Sequence, residues 1–224
     1  MPGFPELTVL LRRSARARRL TLRVSASDHA ITLTVPTRLP RRQIDRFLQD
    51  HAGWIRDRQA ALPDLVDPAP GVRMPLEGRE VTLVRAAAGR RVIETAETLE
   101  VPGDGAQFQS RLRGWVRETA RARASAYCTE YTGRLGQDMQ RLTLRDPRSR
   151  WGSCTSTGNI MLSWRLLLAP REVFAYVAAH EVAHLAEMNH SRAFWDVVER
   201  LYPDHAPLRH WLRENGATLH RFRL

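Results

Sequence analysis

The sequence contains no lysine, so all 35 of its basic residues are arginines. Against 24 acidic residues they give a formal net charge of +11, which by itself indicates a polyanionic partner such as nucleic acid or a nucleotide. A genome rich in GC codons would also replace lysine by arginine without any selection for binding. The basic stretch Arg12–Arg19 is interpreted either as a solvated strand edge or as a phosphate contact. Charge alone therefore leaves a nucleic-acid partner open.

Cysteines and long apolar runs are also scarce. Cys128 and Cys154 are too few for a disulfide framework, and neither belongs to a CxxC pair, so we expect both to be reduced and structural. No apolar run reaches the roughly 18 residues of a membrane helix, so no membrane association is predicted. The first ten residues lack the pattern of a secretory signal, and we expect a cytoplasmic location.

The pattern of apolar residues predicts an N-terminal strand-strand-helix region over residues 1–62. Apolar residues alternate with polar ones within 7–35, which predicts strands, and Ser27–His29 supplies a turn between them. Pro40 then opens a helix with one apolar stripe, in which Trp54 is assigned to the core; the stripe consists of Ile44, Phe47, Leu48, His51, Trp54 and Ile55. The proline-rich residues 63–70 are interpreted as a linker.

A catalytic region is predicted over residues 71–224, although it can also form one continuous domain with residues 1–62. Short strands are predicted at 81–84, 91–94 and 98–101, where Gly and Pro residues separate them. A helix with one apolar face is predicted over about 107–132. Strands and helices in this order predict the α+β class.

The candidate metal-binding and catalytic residues lie on a predicted helix over residues 170–186. Most of its surface is apolar, and His180, Glu181 and His184 fall within that apolar setting. His180 and His184 are one helical turn apart on the same face, so two imidazoles can bind one ion. Glu181 is too far round the helix to bind the ion comfortably, but it can reach a water beside it. This HExxH spacing predicts a metal-dependent hydrolase with Glu181 as general base.

A catalytic zinc normally has three protein ligands, and His190 is the candidate for the third. Asn189 tolerates the conformation that ends a helix, and Ser191 can cap a new helix, so the chain can reverse at His190. The offset matches the metzincin pattern HExxHxxGxxH, except that Glu187 replaces the glycine. Glu187 is a weaker candidate for the third ligand or for a contact to one.

These residues resemble the YgjP-like metallopeptidase domain family, whose members are zincins related to SprT-type proteases. The resemblance is specific over about 145–215 and looser over the N-terminal strands and helix. It rests on Arg150–Cys154, Gly158–Ile160, Ser163–Leu166, His180–His184, Asn189–Ser191 and Phe194-Trp195. It implies a zincin-like core with the HExxH helix beside a small mixed sheet, zinc held by His180, His184 and His190, and a catalytic Glu181.

The resemblance also suggests a place for a peptide substrate. In zincins an extended edge strand lies beside the active-site helix, and residues 158–164 either form that strand or an internal hairpin strand. The expected substrate-binding residues are Asn159, Ile160, Met161 and Arg165. Packing under the site is preferred for Cys154 over a role as nucleophile or zinc ligand.

Peptide hydrolysis with Zn²⁺ is therefore the leading function, with a peptide or protein as substrate. The alternatives are metal-assisted hydrolysis of a nucleotide or other phosphoanhydride, and a SprT-like protease associated with nucleic acid. A second group normally helps to stabilise the oxyanion, and the sequence does not select one of the candidates. By residue type they are Arg165, Tyr202, His205 and His210.

Overall fold

The computed structural model describes residues 8–25 and 28–224. The chain divides into two compact units: the first ends at Val66 and includes His220–Arg223, and the second comprises Asp67–Leu219 with Leu224. No helix among the described residues has both the length and the apolar character needed to cross a membrane.

The first unit is a three-stranded sheet with two helices. Its strands are β1 (Val9–Ser14), β2 (Thr21–Val24) and β3 (Ile31–Pro36), in the order β1-β3-β2, with β1 parallel and β2 antiparallel to β3. Alternation along β3 buries one side of the sheet in a core made of Ile31, Leu33, Val35, Ile44, Leu48 and Ile55. The predicted strands are confirmed, and Ser27 of the predicted turn lies outside the described residues.

The predicted single helix after Pro40 is wrong, because it consists of α1 (Arg41–Asp50) and α2 (Ala52–Ala60). His51 separates them with φ −106° and ψ 7°, outside helical geometry. The buried residues Ile44, Leu48, Ala52 and Ile55 nevertheless keep helical spacing across the break. Trp54 lies at the edge of this stripe and is 48% exposed, so its assignment to the core is wrong.

The second unit begins with a four-stranded sheet and a long helix. The strands β4 (Arg73–Leu76), β5 (Arg79–Arg85), β6 (Ile93–Glu94) and β7 (Thr98–Val101) have the order β4-β5-β7-β6. Helix α3 (Gly105–Leu135) confirms the predicted helix and extends it at both ends. Alanines at 120 and 124 on its buried face allow close packing against α4 (Arg171–Ala183) and the 3-10 helix Trp164–Leu168.

The remaining elements surround α4. Strands β8 (Arg141–Arg145), β9 (Gly152–Cys154) and β10 (Asn159–Ser163) form a mixed sheet, and helices α5 (Arg192–Leu201) and α6 (Ala206–Asn215) follow α4. Both β9 and β10 contact α4, as do α5 and α6. The predicted α+β class, with a helix beside a small mixed sheet, is confirmed.

The hypothesis that residues 158–164 form the edge strand is wrong, because β10 is the central strand of its sheet. It pairs with β8 in parallel and with β9 in antiparallel fashion. The backbone groups of Asn159, Ile160 and Met161 are therefore already used on both sides, and cannot receive a peptide by strand addition. The strand at the sheet edge beside α4 is β9.

Candidate active site

Helix α4 places His180 and Glu181 in its last turn. Nearly all of its residues are buried, as expected from its apolar sequence, and Pro170 precedes its first residue. The helix ends at Ala183, three residues earlier than predicted. His184 follows directly with φ −66° and ψ −14°, which is still close to helical geometry. His184 consequently stays on the same face as His180.

The chain then reverses and brings His190 back towards the helix. The Ser191 hydroxyl accepts a hydrogen bond from the Phe194 backbone N–H at 3.4 Å, so the predicted cap of the following helix α5 is confirmed. His190 directly precedes this cap. The start of α5 therefore fixes the position from which the His190 ring extends.

The three histidines converge on one point. Each offers one nitrogen, and these nitrogens lie within 4.8 Å of one another. The Nε2 atoms of His180 and His190 are 3.2 Å apart. His184 Nδ1 donates a hydrogen bond to the Glu187 carbonyl oxygen at 3.0 Å, so its Nε2 lone pair is free. Glu187 thus contacts a predicted ligand through its backbone, and its side chain is not part of the cluster.

Phe194 supports all three imidazole rings from one side. This fully buried ring stacks on His184 with 4.5 Å between centroids, and it meets His180 and His190 edge-on at 4.9 and 4.7 Å. Such contacts restrict the ring orientations before any ligand binds. Phe194 could be identified beforehand only through the family resemblance, since an apolar residue has no ligand signal of its own.

Burial keeps His180 and His184 neutral. For His180, burial first and then the neighbouring His184 and His190 lower the pKa to about 3. Burial also lowers the pKa of His184, although its hydrogen bond to Glu187 opposes that change. Neutral imidazoles have the free lone pairs that a metal ion requires.

Glu181 is buried beside the cluster, with 6% of its surface exposed. Burial raises its pKa to about 8, and the charge of Arg150 opposes this rise. The carboxylate lies against the backbone of Gly152 in β9. A side-chain carbon at position 152 would overlap with Glu181 Oε1 and Cγ, and would lie 2.7 Å from Cδ. Glycine at 152 is therefore required by the position of Glu181.

A cavity of about 420 Å³ lies in front of the histidines and Glu181. Residues from 150–154, α4, the loop after α4 and α6 form its other walls, namely Arg150, Trp151, Gly152, Ser153, Cys154, Tyr176, Val177, Met188 and Leu212. Burial raises the pKa of Cys154 to about 11, so its thiol stays protonated and is a poor nucleophile. Sequence reasoning missed Arg150, Gly152 and Tyr176 as wall residues.

The proposed oxyanion groups do not line this cavity. Arg165 is 4% exposed and binds both oxygens of Asp146, at 2.7 and 3.1 Å, so its predicted role in substrate binding is wrong. His205 packs between Tyr176 and Trp195, with ring centroids 5.8 and 5.3 Å away. Tyr202 and His210 are also absent from the walls.

The donor set fits a tetrahedral metal ion such as zinc. Two nitrogens that each lie about 2.05 Å from one tetrahedral ion are about 3.3 Å apart, close to the observed 3.2 Å between His180 and His190. All three donors are imidazoles, which suit zinc and other borderline transition metals better than magnesium or calcium. The residues present can therefore hold such an ion.

Comparison with known proteins gives one family. The model described as YgjP-like, metallopeptidase domain, matches residues 18–215. The chain belongs to the YgjP-like metallopeptidase domain family. The resemblance drawn from the sequence motifs is thereby confirmed, and this YgjP-like chain is a metal-dependent peptidase by family.

Among solved structures, this YgjP-like chain is similar to the metallopeptidase zymogen of Pyrococcus abyssi abylysin. The likeness has a TM-score of 0.38 at 22% sequence identity, and it covers 45% of this chain and 99% of that chain. No curated protein matches the sequence.

Proposed function

We propose that this protein is a zinc peptidase in which His180, His184 and His190 hold the ion and Glu181 is the general base. The observation that carries the proposal is the convergence of three imidazoles beside a buried carboxyl group, in one cavity. Zn²⁺ held there would supply Lewis acidity, which makes water acidic near neutral pH and polarises a carbonyl. The predicted cytoplasmic location stays a prediction.

The protein's own contribution begins with proton transfer at Glu181. Its carboxylate accepts a proton from the attacking water and returns it to the leaving amine. Glu181 is suited to both steps because burial brings its pKa close to neutrality, at about 8. Gly152 and the α4 backbone fix where this carboxylate lies.

The edge strand β9 provides the means to position a peptide. Among the described strands, β9 pairs only with β10, so its other edge is available to an extended chain. Gly152, Ser153 and Cys154 of this strand all line the cavity. A peptide that adds to β9 would therefore have its backbone held beside Glu181.

Two variants test the proposal. Glu181→Gln keeps the shape of the side chain but removes its base, so turnover of a peptide library should fall about 10³-fold. Its zinc content, measured by plasma mass spectrometry, should stay near one ion per chain. His184→Ala should lose the zinc. Full activity of Glu181→Gln, or a folded wild-type protein without stoichiometric metal, would contradict the assignment.

A parallel assay with nucleoside triphosphates separates this function from phosphoanhydride hydrolysis. Among the described residues that line the cavity, Arg150 is the one arginine, and therefore the one permanent cation. Phosphate-binding sites usually combine several donors, so a peptide fits this cavity better. Turnover of triphosphates but not of peptides would favour the alternative.

Nucleic acid is a second partner, for which the sheet of the first unit gives a specific reason. Leu11 and Leu22 face the core side, so the neighbouring Arg12 and Arg23 lie on the opposite side. Both arginines are exposed, and they are paired in register with Thr34 and Thr32 of β3. Two cations beside two hydroxyl side chains favour contact with phosphate groups.

Binding of labelled single-stranded DNA over a range of salt concentrations tests this partner. Replacing Arg12 and Arg23 by Gln should weaken binding and reduce the salt slope by about 1 to 2, since each phosphate contact contributes about 0.7 to 0.9. The matched control replaces Arg42 and Arg46, two exposed arginines of α1. Equal losses in both double variants would indicate only general charge.

A further inference from the structure

The active-site cavity carries its charge unevenly. Among the described residues of its wall, Arg150 is the one arginine and Glu181 is the one carboxylic acid. Glu181 has its role in proton transfer. The rest of the wall beside Arg150 is mainly apolar and includes Trp151, Tyr176, Val177 and Leu212. Arg150 is therefore a single permanent cation in an apolar setting.

Among the described residues, none forms an ion pair or hydrogen bond with the Arg150 side chain, and the residue is exposed. Other arginines in the same unit differ, since Arg165 binds Asp146 and Arg123 binds Glu77. An arginine at a cavity wall with no internal carboxylate can bind one from a ligand, through two parallel hydrogen bonds.

Arg150 lies close in sequence to the strand along which the substrate is proposed to bind. It lies two residues before Gly152, where the edge strand β9 begins. A peptide extended along β9 passes this end of the strand. Arg150 and Glu181 also line the same cavity. Arg150 can therefore contact a residue near the bond that is cut.

The neighbouring pocket lacks such a cation. This second pocket, of about 330 Å³, shares His184 and Met188 with the first. Its wall consists largely of hydroxyl and amide side chains, and among its described residues Asp138 is the one carboxylate, with no arginine; the polar residues are Gln137, Gln140, Thr155, Ser156 and Thr157. A negatively charged substrate group would thus be stabilised on the Arg150 side and repelled on the other.

We propose that Arg150 binds a carboxylate of the peptide substrate beside the scissile bond, and so selects peptides that are acidic at that position. The proposal deepens the peptidase function above and rests on it. The carboxylate belongs either to an Asp or Glu side chain or to the free C-terminus of a short peptide. Both sources present the same group to the guanidinium, and the experiment separates them.

The test uses matched quenched-fluorescence peptides with Glu, Gln or Arg on each side of the cleaved bond, made with free or amidated C-termini. For zinc-loaded wild type, kcat/KM should be about 10 to 100 times higher with Glu than with Gln at one position, as expected for a hydrogen-bonded charge. If the C-terminus is the source, amidation should cause that loss instead. Arg150→Glu should reverse the preference towards Arg.

Arg145→Glu is the matched control. It makes the same change of charge at an exposed residue that lines a different pocket, so the preference should stay as in wild type. Loss of the preference in both variants would show a general effect of net charge. Equal loss of kcat for all peptides in Arg150→Gln would place Arg150 in the reaction itself. Either result would overturn the proposal.

Binding to Glu181→Gln separates this inference from the peptidase function. Fluorescence anisotropy with the same peptides should show tighter binding of the carboxylate peptides, and that difference should disappear when Arg150 is also changed to Gln.

Peptide cleavage without a carboxylate preference overturns the Arg150 proposal alone. Failure of wild type to cut any peptide overturns the function. Arg150-dependent binding of nucleoside triphosphates but not peptides overturns both.

Discussion

Glu77 and Glu181 are both buried glutamates of the second unit, but their surroundings have opposite effects. The Glu77 side chain is 3% exposed and accepts hydrogen bonds from Arg123 at 2.6 and 3.2 Å and from Arg171 at 2.8 Å. Burial raises the pKa of Glu77, but the two arginines outweigh burial and lower the pKa overall. Glu181 has no such partners, and its pKa is raised to about 8.

The comparison separates a structural carboxylate from one available for chemistry. Glu77 joins the β4–β5 turn to α3 and to the start of α4, and its charge is fully used in those contacts. Glu181 faces a cavity, where its proton can be exchanged with a ligand. Burial alone therefore does not identify a catalytic glutamate, and the presence or absence of internal cations decides the difference.

Among the variants that test this comparison of the two glutamates, Gly152→Ala should have the largest effect. The added carbon overlaps with the Glu181 carboxylate, so Glu181 must move away from the substrate, and kcat should fall at least about 100-fold. Zinc content, measured by plasma mass spectrometry, should be unchanged because the histidines are not displaced. Retention of wild-type kcat would show that Glu181 does not need its present position.

Gly78→Ala is the matched change beside the other glutamate. Gly78 has φ +87° and lies next to Glu77, so alanine is strained there and should cost about 1 kcal/mol of unfolding free energy. Its kcat should equal that of wild type. A similar loss of kcat in both glycine variants would remove the distinction between the two glutamates.

Glu77→Gln should lower stability without affecting the reaction. It removes the charge from hydrogen bonds with two arginines that are themselves 40% and 55% exposed, so water replaces part of the interaction. We expect a loss of about 1 to 3 kcal/mol in urea unfolding. The kcat of the folded zinc protein should not change. Unchanged stability would mean that the Arg123 and Arg171 contacts contribute nothing.

The contribution of Glu77 should depend on pH in one direction. Because its pKa is lower in the folded chain than the ordinary value of 4.5, its stabilisation is fully present above that value and is lost as pH falls through the folded pKa. The difference in unfolding free energy between wild type and Glu77→Gln should therefore shrink from pH 7 towards pH 3. A difference that stays constant with pH would exclude the charged contact as its source.

The smallest effect is expected from Arg171→Gln. Arg171 donates one hydrogen bond to Glu77 and is 55% exposed, whereas Arg123 donates two and is 40% exposed. Arg171→Gln should therefore lower the free energy of unfolding by about 0.5 kcal/mol, and Arg123→Gln should lower it by more. Parallel urea unfolding of the two variants measures the order. A larger loss from Arg171→Gln would reverse our ranking of the two contacts.

Local spacing made the metal site predictable. The helical repeat fixes His180 and His184 on one face, and the cap at Ser191 follows from its residue type and position. The same local rules failed at Trp54, because this residue lies at the edge of the apolar stripe, where spacing alone does not decide whether a side chain is buried. They left the position of β10 open between an edge strand and an internal hairpin strand, because strand pattern does not say which strand of a sheet lies at the edge.

The sequence by itself determined the order of most strands and helices, the convergence of His180 and His184, and the family. Only the tertiary structure decided the partners of Glu77, which are 46 and 94 residues away, and the contact between Gly152 and Glu181. It also placed Arg150 at the cavity and Arg165 in an internal ion pair. The reason is physical: backbone geometry fixes spacing within one helix or strand, whereas contacts between distant segments depend on how those elements pack.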